Sequence, residues 1–336
     1  MLQSFAAAPQ DVVAPAPDTQ TFALNQSVAE AASIYVTFIR EVGTFEAGFQ
    51  DAAAIQATME KGAAYDAPTL SRGLIAYASI LALQSPEFVE GLRAEASTPA
   101  ERARILQWVL NDPSWAATLP GADAAAGLIV STLGKDIEHL TQIANAVEED
   151  AYTIQGRNDP RRRWAITPIA NRETRLETAK TISGRAMLPS PDEATRLFAA
   201  AVTGRGLVDP AVREAPPYTP VVARALTIAV LAVLGAAGDD AKETTDALLT
   251  DSNNEFCFSM SKLDLFQCLA ASRPSYEDMF CIGRHIVRDL ATCAAAAATP
   301  PPPLVVQTQI AEADAPEAPM TTPTEMAAAA TPATSD

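Results

Sequence analysis

The sequence predicts an all-α protein: a bundle of about eleven helices, closed near its carboxyl end by a disulfide-stapled helical hairpin and flanked by disordered termini. Three observations carry that expectation. Alanine is abundant and β-branched runs are few; a dipeptide of oxygen acceptor followed by proline recurs; and all four cysteines fall within residues 257–293. Alanine loses no side-chain entropy in a helix, so its abundance favours helix over strand.

The recurring dipeptide marks helix starts. It occurs as Ser85-Pro86, Thr98-Pro99, Asp112-Pro113, Thr167-Pro168, Ser190-Pro191, Asp209-Pro210 and Thr219-Pro220. The first residue offers a side-chain oxygen to a free N–H, and proline brings a pre-set φ and no N–H of its own. Glu101 three residues after Thr98, Glu193 after Ser190 and Glu30 after Ser27 complete three capping boxes. Gly43, Gly62, Gly184 and Gly204 stand where helices are expected to stop.

Residues 1–22 form an Ala/Pro-rich segment expected to be disordered. An amino-terminal helical subdomain follows over 23–156, ending in a long helix from about Ala122 to Gln155. On that helix Ala126, Val130, Leu133, Ile137, Leu140, Ala144, Val147, Ala151 and Ile154 step by four and three without a break, a heptad seam. Such a seam suits either an oligomer or the central helix of a bundle, and three alanines on it favour close packing within the chain.

Residues 157–205 form a basic connecting helical segment, with ten Lys/Arg against five Asp/Glu in a chain of net charge −17. Its peak is Arg157, Arg161, Arg162, Arg163 and Trp164. Read as a site, this is a docking patch for an acidic partner with Trp164 as a stacking platform. Read as structure, it is a connection that pairs with the protein's own acidic faces, and in so acidic a chain the second reading is preferred.

The carboxyl-terminal helical subdomain covers 206–293, and its most apolar stretch, Ala223 to Ala237, is expected to be a buried core helix. Tyr218-Thr219-Pro220 leading to Arg224 and Leu226 echoes Tyr65-Asp66-Ala67-Pro68 leading to Arg72 and Leu74, the trace an internal duplication would leave. Residues 294–336 are an Ala/Pro/Thr-rich tail expected to be disordered, with the Pro300–Pro303 run in polyproline II.

The cysteine window reads as a hairpin: one helix over about 253–271, a turn at Ser272-Arg273-Pro274-Ser275, and a second helix from Tyr276. Cys268 and Cys281 are nearly equidistant from the turn, and so are Cys257 and Cys293. Pairing within either helix fails, because eleven or twelve residues rise roughly 16–18 Å, against the ~4.4–6.8 Å a disulfide tolerates between Cα atoms. Crossed pairing fails likewise, leaving nested Cys268–Cys281 and Cys257–Cys293. One mismatch remains. The twelve-residue step from Cys281 to Cys293 rotates about 120° past whole turns, so the second helix is expected to loosen near Cys293. The pattern resembles the twin-cysteine hairpins of the coiled-coil-helix–coiled-coil-helix proteins. Those place nine residues between cysteines where this chain has ten and eleven, and no function is carried over. Two alternatives stay open, buried free thiols and a metal or redox site; Cys281 and His285 share a helix face at i, i+4, but no close Cys pair of the zinc-knuckle kind is present.

Composition narrows the function. The net charge of −17 argues against nucleic acid, whose phosphates need a basic footprint, and no stretch is apolar enough for a transmembrane helix. The start, MLQSFAAAPQ, lacks a basic region and an apolar core of the secretory kind. Ala6-Ala7-Ala8 nevertheless resembles the end of a signal peptide, which places an export signal upstream on one reading and a cytosolic protein on the other. Disulfides favour an oxidising compartment, so a periplasmic or exported location is preferred. Of two histidines, His139 lies beside Asp136 and Glu138 on the long helix, a trio read as a solvated face. Glu148, Glu149 and Asp150 are adjacent in sequence and splay around the helix. No nucleophile elbow, zinc-protease helix, phosphate loop or dinucleotide fingerprint occurs. No catalytic residue, cofactor or metal is therefore nominated. The expected role is non-enzymatic, structural or protein-binding, in the cell envelope, acting through helical surfaces with oligomerisation through the heptad helix open. The alternatives are an enzyme with a dispersed active site and a cytosolic adaptor with reduced thiols.

Overall fold

The computed structural model describes residues 21–207 and 212–300 and is built of helices joined by short connections, with fourteen α-helices and no β-strand among the described residues. They are α1 (Gln26–Val42), α2 (Ala52–Ala63), α3 (Ala67–Ala82), α4 (Pro86–Glu95), α5 (Pro99–Asn111), α6 (Ala122–Thr153), α7 (Arg162–Ala165), α8 (Arg172–Ser183), α9 (Pro191–Thr203), α10 (Pro220–Val233), α11 (Lys242–Leu248), α12 (Ser252–Ala271), α13 (Ser275–Ile282) and α14 (Asp289–Ala298). A 3₁₀ turn over Pro113–Thr118 follows α5, and a π turn over Gly283–Arg288 joins α13 to α14 in one continuous helix. The three beyond the expected eleven come from short pieces such as α7 and from that division. The expectations for residues 1–20, for the Asp209-Pro210 start and for the tail from 301 lie outside the described residues. Helix α14 runs through Ala298, so its last five residues lie in the stretch expected to be tail.

Five acceptor–proline pairs start helical segments as expected. Ser85, Thr98, Ser190 and Thr219 each accept the backbone N–H three residues on, and Asp112 caps the 3₁₀ turn. Thr98 and Glu101 make the full reciprocal box. Glu193 does not. The N–H of Ser190 already donates to Thr37 Oγ1 (2.9 Å), which frees the Glu193 carboxylate to pair with Arg40 and Arg196. Thr167-Pro168 starts no helix, because its backbone bonds the hairpin turn: Ile169 N–H donates to Arg273 O (2.7 Å) and Ser275 N–H to Thr167 O (3.3 Å). Helix α8 begins instead after Asn171, in the left-handed region at φ 55°. Ser27 is likewise not a cap. Helix α1 starts one residue earlier, and Asn25 before it bonds Ala237 O and Thr245 Oγ1. Gly62 lies inside α2, facing Ile286, whereas Gly43, Gly184 and Gly204 do end helices.

Helix α3 is the axis of the fold, buried at Leu70, Leu74, Ile75, Ile80 and Leu81 on several sides. It packs against α1, α10, α12 and α6. Gly73 permits the close approach of α1, since a Cβ there would lie 2.6 Å from Ala31 O and 2.7 Å from Tyr35 Cβ. The two echo helices, α3 and α10, pack on each other. Their arginines reach the same short helix: Arg72 pairs with Asp246 (2.7 Å) and Arg224 donates to Ala247 O (3.5 Å). Helix α10 is the buried core helix expected of that stretch, and among the described residues no helix is long and apolar enough to cross a membrane.

The heptad seam of α6 is covered within the chain. Leu133, Leu140, Ala144, Val147, Ala151 and Ile154 are buried, and α6 lies along the π turn, α13 and α14. Val130 and Ile137 are half-buried.

Candidate functional site

The hairpin of α12 against α13 and α14 concentrates the chain's chemistry. Along α12, Cys257, Ser261, Asp264 and Cys268 recur at helical spacing and share one face. Opposite stand Cys281, His285, Asp289 and Cys293. The structure joins Cys268 to Cys281 near the turn and Cys257 to Cys293 at the open end, each with Cα atoms 5.7 Å apart, leaving no free cysteine. Because Cys281 is in a disulfide, the Cys281–His285 metal pair has no thiolate to offer.

The expected loosening is present, but at Gly283–Arg288 rather than near Cys293. A π turn adds one residue to an α-helix. The twelve residues from Cys281 to Cys293 therefore behave as eleven, and Cys293 returns to the face of Cys281. Gly283 opens this turn against α6, where a Cβ would lie 2.9 Å from Glu148 Cγ.

Between the two disulfides, Asp264, His285 and Asp289 bring one ligand-type atom each to within 4.8 Å of one another, and no other such trio occurs among the described residues. His285 Nδ1 lies 3.0 Å from Asp289 Oδ2, with the two side chains 21% and 22% exposed. Among the described residues neither carboxylate pairs with a lysine or arginine. Sequence reasoning did not assemble this trio, although the signal was there: Asp264 and His285 are as equidistant from the turn as Cys268 and Cys281. Deeper, the Lys262 Nζ sits 3.9 Å from the centre of the Tyr65 ring with no hydrogen-bond partner. Burial holds its ammonium down to about 8. Burial, seconded by the Asp289 charge, pushes the Tyr65 phenol well up.

The basic segment is largely spent on the protein itself. From α8, Arg175 forms a buried bidentate pair with Asp278 and donates to Leu269 O, while Arg172 donates to Ser272 O (2.7 Å) and Ala270 O (2.7 Å). Two arginines thus hold the last carbonyls of α12 and the hairpin turn, as cations at a helix carboxyl end should. Arg161 grips Asp150 and Asp159 at 2.6 and 2.9 Å, which pushes its pKa up, and Arg162 Nε donates to Gln155 O (2.9 Å). Trp164 is half-buried and packs against the core. Arg157 and Arg163 remain exposed.

The His139 trio does not converge: His139 Nε2 meets Gly43 O (3.0 Å), Glu138 accepts from Gln142, and Asp136 turns inward, where burial raises its pKa despite nearby Arg40. A separate surface carries exposed aromatics. Trp108 and Trp115 stack at 5.2 Å between centroids, 40% and 45% exposed. Arg104 lies 5.1 Å over Trp108, and a groove of about 270 Å³ runs between the tryptophans, Ile105 and Pro120.

Comparison with protein-family models, with curated proteins and with solved structures finds no match to the chain.

Proposed function

We propose that this is a non-enzymatic, exported helical protein of the cell envelope that binds a protein partner through its helical surfaces. The carrying observation is the nested pair of disulfides, which takes up all four cysteines. Such bonds persist in the periplasm and beyond, and are reduced in the cytosol. The surface best suited to a partner is the Trp108–Trp115 ledge, because large aromatics left exposed together are characteristic of interface centres.

Two measurements test this reading. Intact mass of protein from its native host, alkylated before and after reduction, should show four alkyl groups only after reduction; alkylation without reduction overturns the exported assignment. A photocrosslinking side chain at Thr118, which is exposed and lines the groove beside both tryptophans, should yield one discrete protein adduct in cells, abolished when Trp108 and Trp115 are both replaced by alanine. Absence of any adduct, or an adduct indifferent to the tryptophans, overturns the ledge as the binding surface.

A further inference from the structure

We propose that Asp264, His285 and Asp289 form a binding site for a single divalent transition-metal ion of the zinc class, held between the two disulfides. The site is independent of the exported, partner-binding role argued above.

The donor set is chemically mixed, with one imidazole nitrogen and two carboxylates arriving from both arms of the hairpin. Imidazole selects zinc-class ions over magnesium and calcium, which prefer all-oxygen shells. Zinc holds such donors at about 2.0–2.2 Å, which places them roughly 3.3 Å apart in a tetrahedron. His285 Nδ1 and Asp289 Oδ2 are already at 3.0 Å. All three donors lie within 4.8 Å of one another, so the set needs to contract by at most about 1.5 Å to reach that spacing.

Charge points the same way. Two half-buried carboxylates face each other with no lysine or arginine paired to either among the described residues. Like charges in such a position repel, and a dication removes that repulsion.

The frame is built to hold donors in place. Cys268–Cys281 lies on one side of the trio and Cys257–Cys293 on the other, so the two backbones are fixed at both ends of the site. The π turn carries His285 itself. Partial exposure of His285 and Asp289 leaves room for water to complete the coordination.

The test uses the full-length, oxidised protein, freed of any affinity tag and stripped with chelator. Calorimetric titration with Zn²⁺ should give one equivalent bound, and Co²⁺ should give a visible absorption band diagnostic of nitrogen and oxygen ligation. Asp264→Asn and His285→Gln should each weaken Zn²⁺ binding at least tenfold, as loss of a direct ligand does. Replacing His139, the other histidine of the chain, by alanine should leave binding unchanged, and excess Ca²⁺ should not displace Zn²⁺. Circular dichroism and disulfide mapping of each variant confirm that its fold is retained. No binding to the wild-type chain overturns the proposal. So does binding that survives both substitutions, or binding lost on replacing His139.

Discussion

Arg175 and Asp278 form a buried bidentate ion pair that ties α8 to the hairpin, with side chains 5% and 0% exposed. Gln56 and Ser272 also donate to the Asp278 carboxylate, at 2.8 and 2.7 Å. A buried pair of this kind gains little over an apolar substitute. Removing one partner alone, however, strands the other charge. Arg175→Met or Asp278→Asn should therefore destabilise the protein by about 3–5 kcal/mol. Urea denaturation with the disulfides intact measures this. A loss below about 1 kcal/mol would mean the surviving charge finds water.

The two disulfides should contribute unequally. They close loops with sequence separations of 13 and 36 residues, and loop-closure entropy grows with the logarithm of length. The estimate is about 3 kcal/mol for the inner bond and about 4 kcal/mol for the outer. Replacing Cys268 and Cys281 by serine should cost less than replacing Cys257 and Cys293. Parallel thermal melts of the two double variants test the order, and the reverse order would place the difference in native packing rather than chain entropy.

Lys262 is a buried cost that the fold carries at neutral pH. Its pKa is about 8 in the folded chain against 10.5 for an ordinary lysine. Between those values the unfolded state binds more protons than the folded one, so this residue makes stability rise with pH across that window. Below about pH 8 the penalty is fully present. Lys262→Met should stabilise the protein at pH 7 by about 1–2 kcal/mol, after allowing for the lost contact with the Tyr65 ring. The gain over wild type should shrink as pH rises from 8 to 9.5. Paired urea titrations at those pH values check it, and a constant difference would show that the ammonium is already solvated.

Much of the fold was legible because its signals are local. A Ser-Pro or Thr-Pro cap acts within four residues, so Ser85, Thr98 and Thr219 announce their helices without reference to the rest of the chain. Thr167-Pro168 failed for the opposite reason: its backbone is claimed by Arg273 and Ser275, about a hundred residues away. For the basic segment, composition pointed to pairing with the protein's own acids but could not name the partners, since the acids that Arg161 and Arg175 meet lie on α6 and α13. The hairpin was readable because distance from one turn orders both arms. That rule, applied only to cysteines, yields the disulfides; applied to every polar residue it also places Asp264 opposite His285. What it does not supply is the local winding of α13 into α14, which decides whether Asp289 and Cys293 face inward.

That winding gives the sharpest test of the architecture. The π turn at Gly283–Arg288 holds the extra residue between Cys281 and Cys293. Deleting the exposed Arg284, inside the turn, should let it relax to α-helix and shorten the step to eleven residues. An eleven-residue step overshoots whole turns by only about 20°, so the outer disulfide should still form. Deleting Thr292, exposed on α14 beyond the turn, removes a residue where no slack exists. That swings Cys293 by about 100° unless the π turn unwinds along the intervening helix, dragging buried Leu290 and Ala291 out of their contacts. Peptide mapping without reduction should find Cys257 joined to its partner in the Arg284 deletion and largely alkylated in the Thr292 deletion. Both chains should keep the inner Cys268–Cys281 bond, which lies wholly on the near side of the turn. Equal pairing in the two deletions would show that α14 slides freely against α12, and that the π turn does not set the position of Cys293.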